Sequence, residues 1–134
     1  QQGTRQPMPV LDERMNTTLV LGASTNPART AFTAVQKLTA AQIPVVLVGK
    51  SSGEVAGQTI LPDLAAVPGP VDTITMYLNA ERQRPLYDAI LALKPRRIIF
   101  NPGSENPELA ELASNQGVVV VEACTLVLLS VGKY

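Results

Sequence analysis

The residues best placed to do chemistry in this chain sit behind short apolar runs. The segment LVLGASTNPART (residues 19–30) ends a hydrophobic run in Gly22 and then sets small and hydroxylated residues ahead of Arg29. A strand that ends in glycine and feeds a helix presents backbone N–H groups and the positive helix end to an anion. Gly22, Ala23 and Ser24 are small enough to let a pyrophosphate reach the backbone. Ser24 and Thr25 add hydroxyl donors, and Arg29 adds a charge able to grip an anion with two hydrogen bonds. The full glycine fingerprint of a dinucleotide turn is absent, because Ser24 stands at its second glycine and Ala28 or a neighbour at its third. Two readings stand level at this point: a phosphate-binding turn, and a tight turn that binds nothing.

The second apolar run ends in VGKSSGE. An NAD site usually carries an acid here to hold the ribose hydroxyls, whereas this chain has Gly49 and Lys50. A lysine suits a phosphorylated ribose, as in coenzyme A or NADP, and the plainer account is a solvated loop lysine. Cys124 is the only cysteine and follows a run of four valines. With no histidine to activate it, it reads first as a buried, inert thiol and second as a residue facing the ligand, open to a mixed disulfide with CoA. Glu105, Glu108 and Glu111 fall around a helix start, where capping, dipole and solvation account for them. Tyr77 and Tyr87 read as packing residues.

The chain has no histidine, which excludes imidazole acid–base catalysis, histidine triads and histidine metal sites. A single cysteine beside no histidine also argues against zinc or iron–sulfur sites. It fits a reducing cytoplasm, the expected location. Eleven basic residues balance eleven acidic ones, with no basic run of the kind that binds nucleic acid. Apolar stretches such as GVVVV are too short to cross a bilayer, so no membrane partner is expected. In a chain of 134 residues, 46% hydrophobic and 16% charged, one globular domain is expected. Residues 1–16 read as a native extension or an expression remnant, with Met15 as an alternative start. The domain then occupies residues 17–134.

The elements that would position these residues alternate along the chain. Strands are expected at residues 17–22, 43–49, 71–78, 96–103 and 118–124. Helices are expected at residues 30–42, with Phe32, Val35, Leu38 and Thr39 along one stripe, and at residues 82–93. On the second of these, Leu86, Ala89, Ile90 and Leu93 share a face, and Pro85 lies in or near the first turn. A third helix carries Asn106 as N-cap, Pro107 at its first position and Gly117 just past its end. Residues 50–70 form a loop with a brief extended piece at Gln58–Leu61 and a helical turn at 62–67 begun by Pro62. TLVLLS closes the chain as a short helix. Strand and helix in alternation predict a Rossmann-like, doubly wound α/β domain with a mainly parallel five-stranded sheet flanked by helices. Ligands of such sheets sit beyond the carboxyl ends of the strands.

Taken in order, GASTNPART, VLVGK, GQTILPDLAAVPGPVDTITMYL and FNPGSENPELAELASNQGVVVVEAC resemble the small CoA-binding-domain proteins. These are single-domain relatives of the nucleotide-binding domain at the front of succinyl-CoA synthetase α subunits. The resemblance runs from Leu19 to Cys124 and implies non-enzymatic binding of coenzyme A or an acyl-CoA. By position, it places Gly22, Ala23, Ser24 and Arg29 around the pyrophosphate and Lys50 near the phosphorylated ribose. Tyr77, Leu78 and Asn79 would line the cleft beside the adenine or the pantetheine arm. Asn101, Pro102, Gly103 and Cys124 would close it. The chain departs from the pattern at Gly49-Lys50 (often Asn-Pro), Tyr77-Leu78 (often Phe-Arg) and Glu122-Ala123 (often Asp-Arg). Two rim arginines are lost by those changes, which bears on the ligand more than on the fold. An NADP-binding oxidoreductase-like domain and a scaffold that has lost its ligand are the alternatives. The apolar C-terminal LVLLSVGKY offers a surface for a homodimer.

Overall fold

The computed structural model describes residues 15–134, and the extension expected before Met15 lies outside the described residues. Strand β1 (Thr18–Leu21) is buried along its whole length, as an apolar run covered on both faces must be. It is followed by α1 (Thr30–Ala40), β2 (Val45–Val48), β3 (Glu54–Val55), β4 (Gln58–Leu61), a 3-10 turn at Leu64–Ala66 and β5 (Thr73–Met76). After β5 come α2 (Ala80–Gln83), a 3-10 turn at Arg84–Leu86, α3 (Tyr87–Ala92) and β6 (Arg97–Phe100). The chain closes with α4 (Pro107–Asn115), β7 (Val119–Glu122) and α5 (Thr125–Ser130).

The sheet has seven strands in the order β3-β4-β2-β1-β5-β6-β7, not the expected five. The extended piece at Gln58–Leu61 is a full member, pairing parallel with β2 through Leu47–Ile60 and Val48–Leu61. The other addition, β3, pairs antiparallel with β4. Its two residues are too short to show a period, and its turn is Ala56-Gly57, both at positive φ (51° and 82°). That geometry is the hairpin turn usually announced by Asn-Gly or Asp-Gly, so the sequence lacks the usual signal.

Alternate strand residues face two separate layers. Leu19, Leu21, Ile74, Met76, Ile98 and Phe100 pack against Ile90 of α3 and Leu109 and Ala113 of α4. Val20, Val45 and Leu47 pack against Ala31, Val35 and Leu38 of α1, with Leu129 of α5 alongside. Thr39 is exposed, so the buried stripe of α1 uses Ala31 and Ala34 in its place. The helix expected at residues 82–93 begins earlier, capped by Asn79, and Pro85 breaks it because proline cannot donate to the ladder. Ala89 is consequently exposed while Ile90 is fully buried. The helical turn expected from Pro62 is a 3-10 turn whose N-cap is Asp63. At the end of α4, Gly117 takes φ 83°, and Val118 N–H donates to Ala113 O, the expected αL stop. The valines of β7 are only partly covered, Val119 being 50% exposed, because β7 is the sheet edge. No helix among the described residues is long and apolar enough to cross a membrane.

Two features of this sheet create a cleft. Strand order reverses at β1, with β2 on one side and β5 on the other, so the loops leaving β1 and β5 diverge. The register also aligns Leu21, Val48, Met76, Phe100 and Glu122 in one row. The chain therefore leaves five neighbouring strands at one level.

Candidate functional site

Gly22 makes the first turn possible. Its φ is +102°, and a Cβ would lie 3.2 Å from the backbone of Tyr77 and Leu78, so only glycine leaves β1 here without strain. Gly49 is the second constraint: its Cβ would meet Ala23 O at 2.1 Å. The β2 end thus holds a glycine because the β1–α1 loop lies directly on it. Both Gly22 N–H and Ala23 N–H donate to Val48 O at 2.9 Å, so these two amides brace the turn and are not free for a ligand.

The free donors come later in the loop. Asn26 N–H donates to Ser24 Oγ (3.0 Å) and Ala28 N–H to Asn26 Oδ1 (2.9 Å), folding the exposed segment on itself. Arg29 occupies the N-cap of α1 with no side-chain acceptor. The amides of Thr30 and Ala31, which precede the helix's own ladder, are left unpaired and line the cleft.

The cleft has a volume of about 830 Å³ and is open to solvent. All the residues expected at the site line it except Thr25, which is exposed and stands against Gly53 in the loop before β3. Gly22, Ala23, Ser24 and Arg29 form one wall and Lys50 the β2 side. Tyr77, Leu78 and Asn79 follow β5; Asn101, Pro102, Gly103 and Cys124 follow β6 and β7. Cys124 is half-buried and caps α5 rather than ending the strand, so it lines the cleft and is not shut in the core.

Not all of these side chains are available. Asn101 Nδ2 donates to Thr75 Oγ1 (2.8 Å) and Met76 O (2.9 Å), and its Oδ1 accepts from Thr125 N–H (2.8 Å). Asn79 Oδ1 accepts from Arg82 N–H to cap α2. Tyr77 turns its ring toward α1 and α5, where its hydroxyl is buried without a hydrogen-bond partner among the described residues. Burial pushes this phenol up to about 12, so it stays neutral in ordinary buffers.

Arg82 on α2 lines the cleft as well and carries no sequence signal, lying outside the strand-end loops. Among the described residues the cleft therefore gathers three cations, Arg29, Lys50 and Arg82, and no Asp or Glu. None of the three has an ion-pair partner among the described residues. At the opposite end of the strands Arg96 and Arg97 are engaged. Arg96 donates to both oxygens of Asp72 (2.8 and 3.0 Å), holding that carboxyl below its ordinary value, and Arg97 stacks on Tyr134 at 4.5 Å. Among the described residues no cluster of metal-ligating side chains occurs.

A model of the CoA binding domain matches residues 16–130. The chain belongs to the CoA-binding domain family. An uncharacterized protein of known crystal structure is 44% identical to this CoA-binding domain, with a TM-score of 0.85 over 90% of this chain and 98% of that one. A Thermus thermophilus protein described as cell-free ID.343 shares the fold at 24% identity, with a TM-score of 0.80 over 90% of this chain and 91% of that one. Prb, the PH1109 protein redesigned for binding, shares it at 18% identity, with a TM-score of 0.79 over 90% and 84% of the two chains. No curated protein matches the chain significantly.

Proposed function

We propose that this domain binds coenzyme A or an acyl-CoA and carries out no chemistry on it. The observation that carries the reading is the charge of the cleft: among the described residues, three unpaired cations and no carboxylate stand around an uncapped helix start, in a chain of zero net charge. Such a site selects a polyanion. Its volume of about 830 Å³ lies in the upper part of the range, roughly 300–1,000 Å³, of small-molecule sites.

The pyrophosphate meets the Thr30 and Ala31 amides and Arg29, and the ribose phosphate meets Lys50. A side pocket of about 320 Å³ opens beside Lys50, lined by Val48, Pro62, Leu64, Leu78, Pro85 and Leu86, and receives the adenine. The pantetheine arm runs the other way, past Asn101 and Gly103 to Cys124. The absence of catalysis rests on what the lining offers. Among the described residues it holds no imidazole and no carboxylate, and its tyrosine hydroxyl is buried and neutral, so the usual general bases are lacking.

Calorimetric titration with CoA, acetyl-CoA, NAD and NADPH tests this reading. CoA and acetyl-CoA are expected to bind and NAD is not, because Lys50 replaces the acid that holds unphosphorylated ribose. Binding of NADPH without CoA would overturn the reading in favour of an NADP domain. Binding of none of them would favour a scaffold that has lost its ligand.

A further inference from the structure

The polar cleft and the apolar side pocket are not separate. They share Lys50, Leu78 and Arg82, which form the threshold between them. A nucleotide with its pyrophosphate at the α1 start and its base in the side pocket must thread its ribose through that threshold. Any group carried on the ribose then lies between the two cations.

Arg82 is built to serve there. Asn79 accepts its backbone N–H at 2.9 Å, fixing the first turn of α2 directly behind β5. The next residue, Gln83, is fully buried, donating to Leu78 O and Ser104 O at 2.8 Å and accepting from Asn106 Nδ2 at 2.9 Å. The backbone beneath Arg82 is therefore held from both sides, while its guanidinium has no partner among the described residues. A planar fork held on a rigid base suits a phosphate gripped by two parallel hydrogen bonds, and the lysine opposite adds a point charge.

We infer that Arg82 and Lys50 together read the phosphate on the ligand's ribose, so that the domain discriminates 3′-phosphorylated coenzyme A from its dephospho form. Arg82 thereby supplies, from a helix, charge that the Tyr77-Leu78 strand end does not provide. The inference rests on the CoA reading above and adds to it a specificity-determining residue.

The test titrates CoA and 3′-dephospho-CoA into wild type, Arg82→Ala, Lys50→Ala and the double variant. Wild type should prefer CoA. Arg82→Ala should weaken CoA by about ten-fold or more, the usual loss for one charge-assisted contact, and leave dephospho-CoA nearly unchanged. The double variant should bind the two ligands alike. Arg82→Lys should recover only part of the preference, since lysine lacks the fork. Arg82 is exposed and alanine favours helix, so an unchanged denaturation midpoint should accompany these shifts. If wild type binds CoA but Arg82→Ala weakens both ligands equally, or neither, the assignment of Arg82 is overturned while the CoA reading stands. Failure of wild type to bind either ligand would remove both.

Discussion

Two strand-to-helix turns lie at the carboxyl edge of this sheet on either side of β5, each with a glycine, a proline and hydroxyl or amide side chains. In the β6–α4 turn the polar groups are consumed internally. Asn101 bonds β5 and the start of α5, and Ser104 Oγ donates to Asn101 O at 2.7 Å. Asn106 caps α4 and donates to Gln83, while Gly103 N–H donates to Glu105 Oε1. In the β1–α1 turn the helix start has no cap, its first amides are free, and its arginine is unpaired. A buried polar group costs stability unless it is satisfied, so the first turn acts as a strut. The second leaves its donors over, and leftover donors beside cations with no partner among the described residues support the proposal of an anion site there. Lining a cleft is therefore not the same as being free to bind in it.

Substitutions can break this contrast from either side. The largest effect is expected at Gly49→Ala, where the new methyl would lie 2.1 Å from Ala23 O and force the two loops apart. It should cost about 3 kcal/mol or more and abolish CoA binding, measured by chemical denaturation and calorimetry. Asn101→Ala should lower stability by about 2–3 kcal/mol by orphaning Thr125 N–H and removing the Nδ2 donor to Thr75 Oγ1 and Met76 O. In the protein that remains folded, CoA affinity should change less than it does for Arg29→Ala. Arg29→Ala is the mirror case. Its denaturation midpoint should stay within about 0.5 kcal/mol of wild type, while CoA binding weakens about ten-fold or more. If Arg29→Ala instead destabilised the fold and spared binding, the roles of the two turns would be reversed.

The smallest effect is expected at Tyr77→Phe, which removes a buried hydroxyl that has no partner. At pH 8 stability should hold or rise by about 1 kcal/mol, since an unsatisfied hydroxyl carries a desolvation cost. The alkaline limb tests the same point. The folded phenol keeps its proton to about 12, whereas the unfolded chain releases it at 10, so wild-type stability falls as pH rises through that window. Tyr77→Phe should flatten the fall without abolishing it, because burial raises Tyr134 as well. An identical alkaline limb in wild type and variant would refute the buried, orphaned phenol.

Much of the architecture was legible along the chain because its signals are local. The cap and stop of α4 are spelled by Asn106, Pro107 and Gly117, and the apolar strands announce themselves by run length and punctuation. The β3–β4 hairpin was not legible, since a two-residue strand has no period and Ala56 occupies a turn position where asparagine or glycine is expected. The site divides in the same way. Gly22 could be read as a turn glycine from its place after a strand. The reason for Gly49 could not, because the atom it avoids belongs to Ala23, far from it in sequence.

By itself the sequence determined the strand–helix alternation, the family, the absence of any imidazole and the position of the glycine-ended loop after the first strand, for these follow from residue types and short-range order. Only the tertiary structure decided which of the neighbouring groups are free. Asn101 is spent on its neighbours, Tyr77 turns its hydroxyl inward, and Arg82 reaches the threshold between two cavities from a helix with no motif. The physical reason is that a polar group's availability depends on the partners packed around it. Those partners come from strands and helices distant in the chain, brought together by the sheet register.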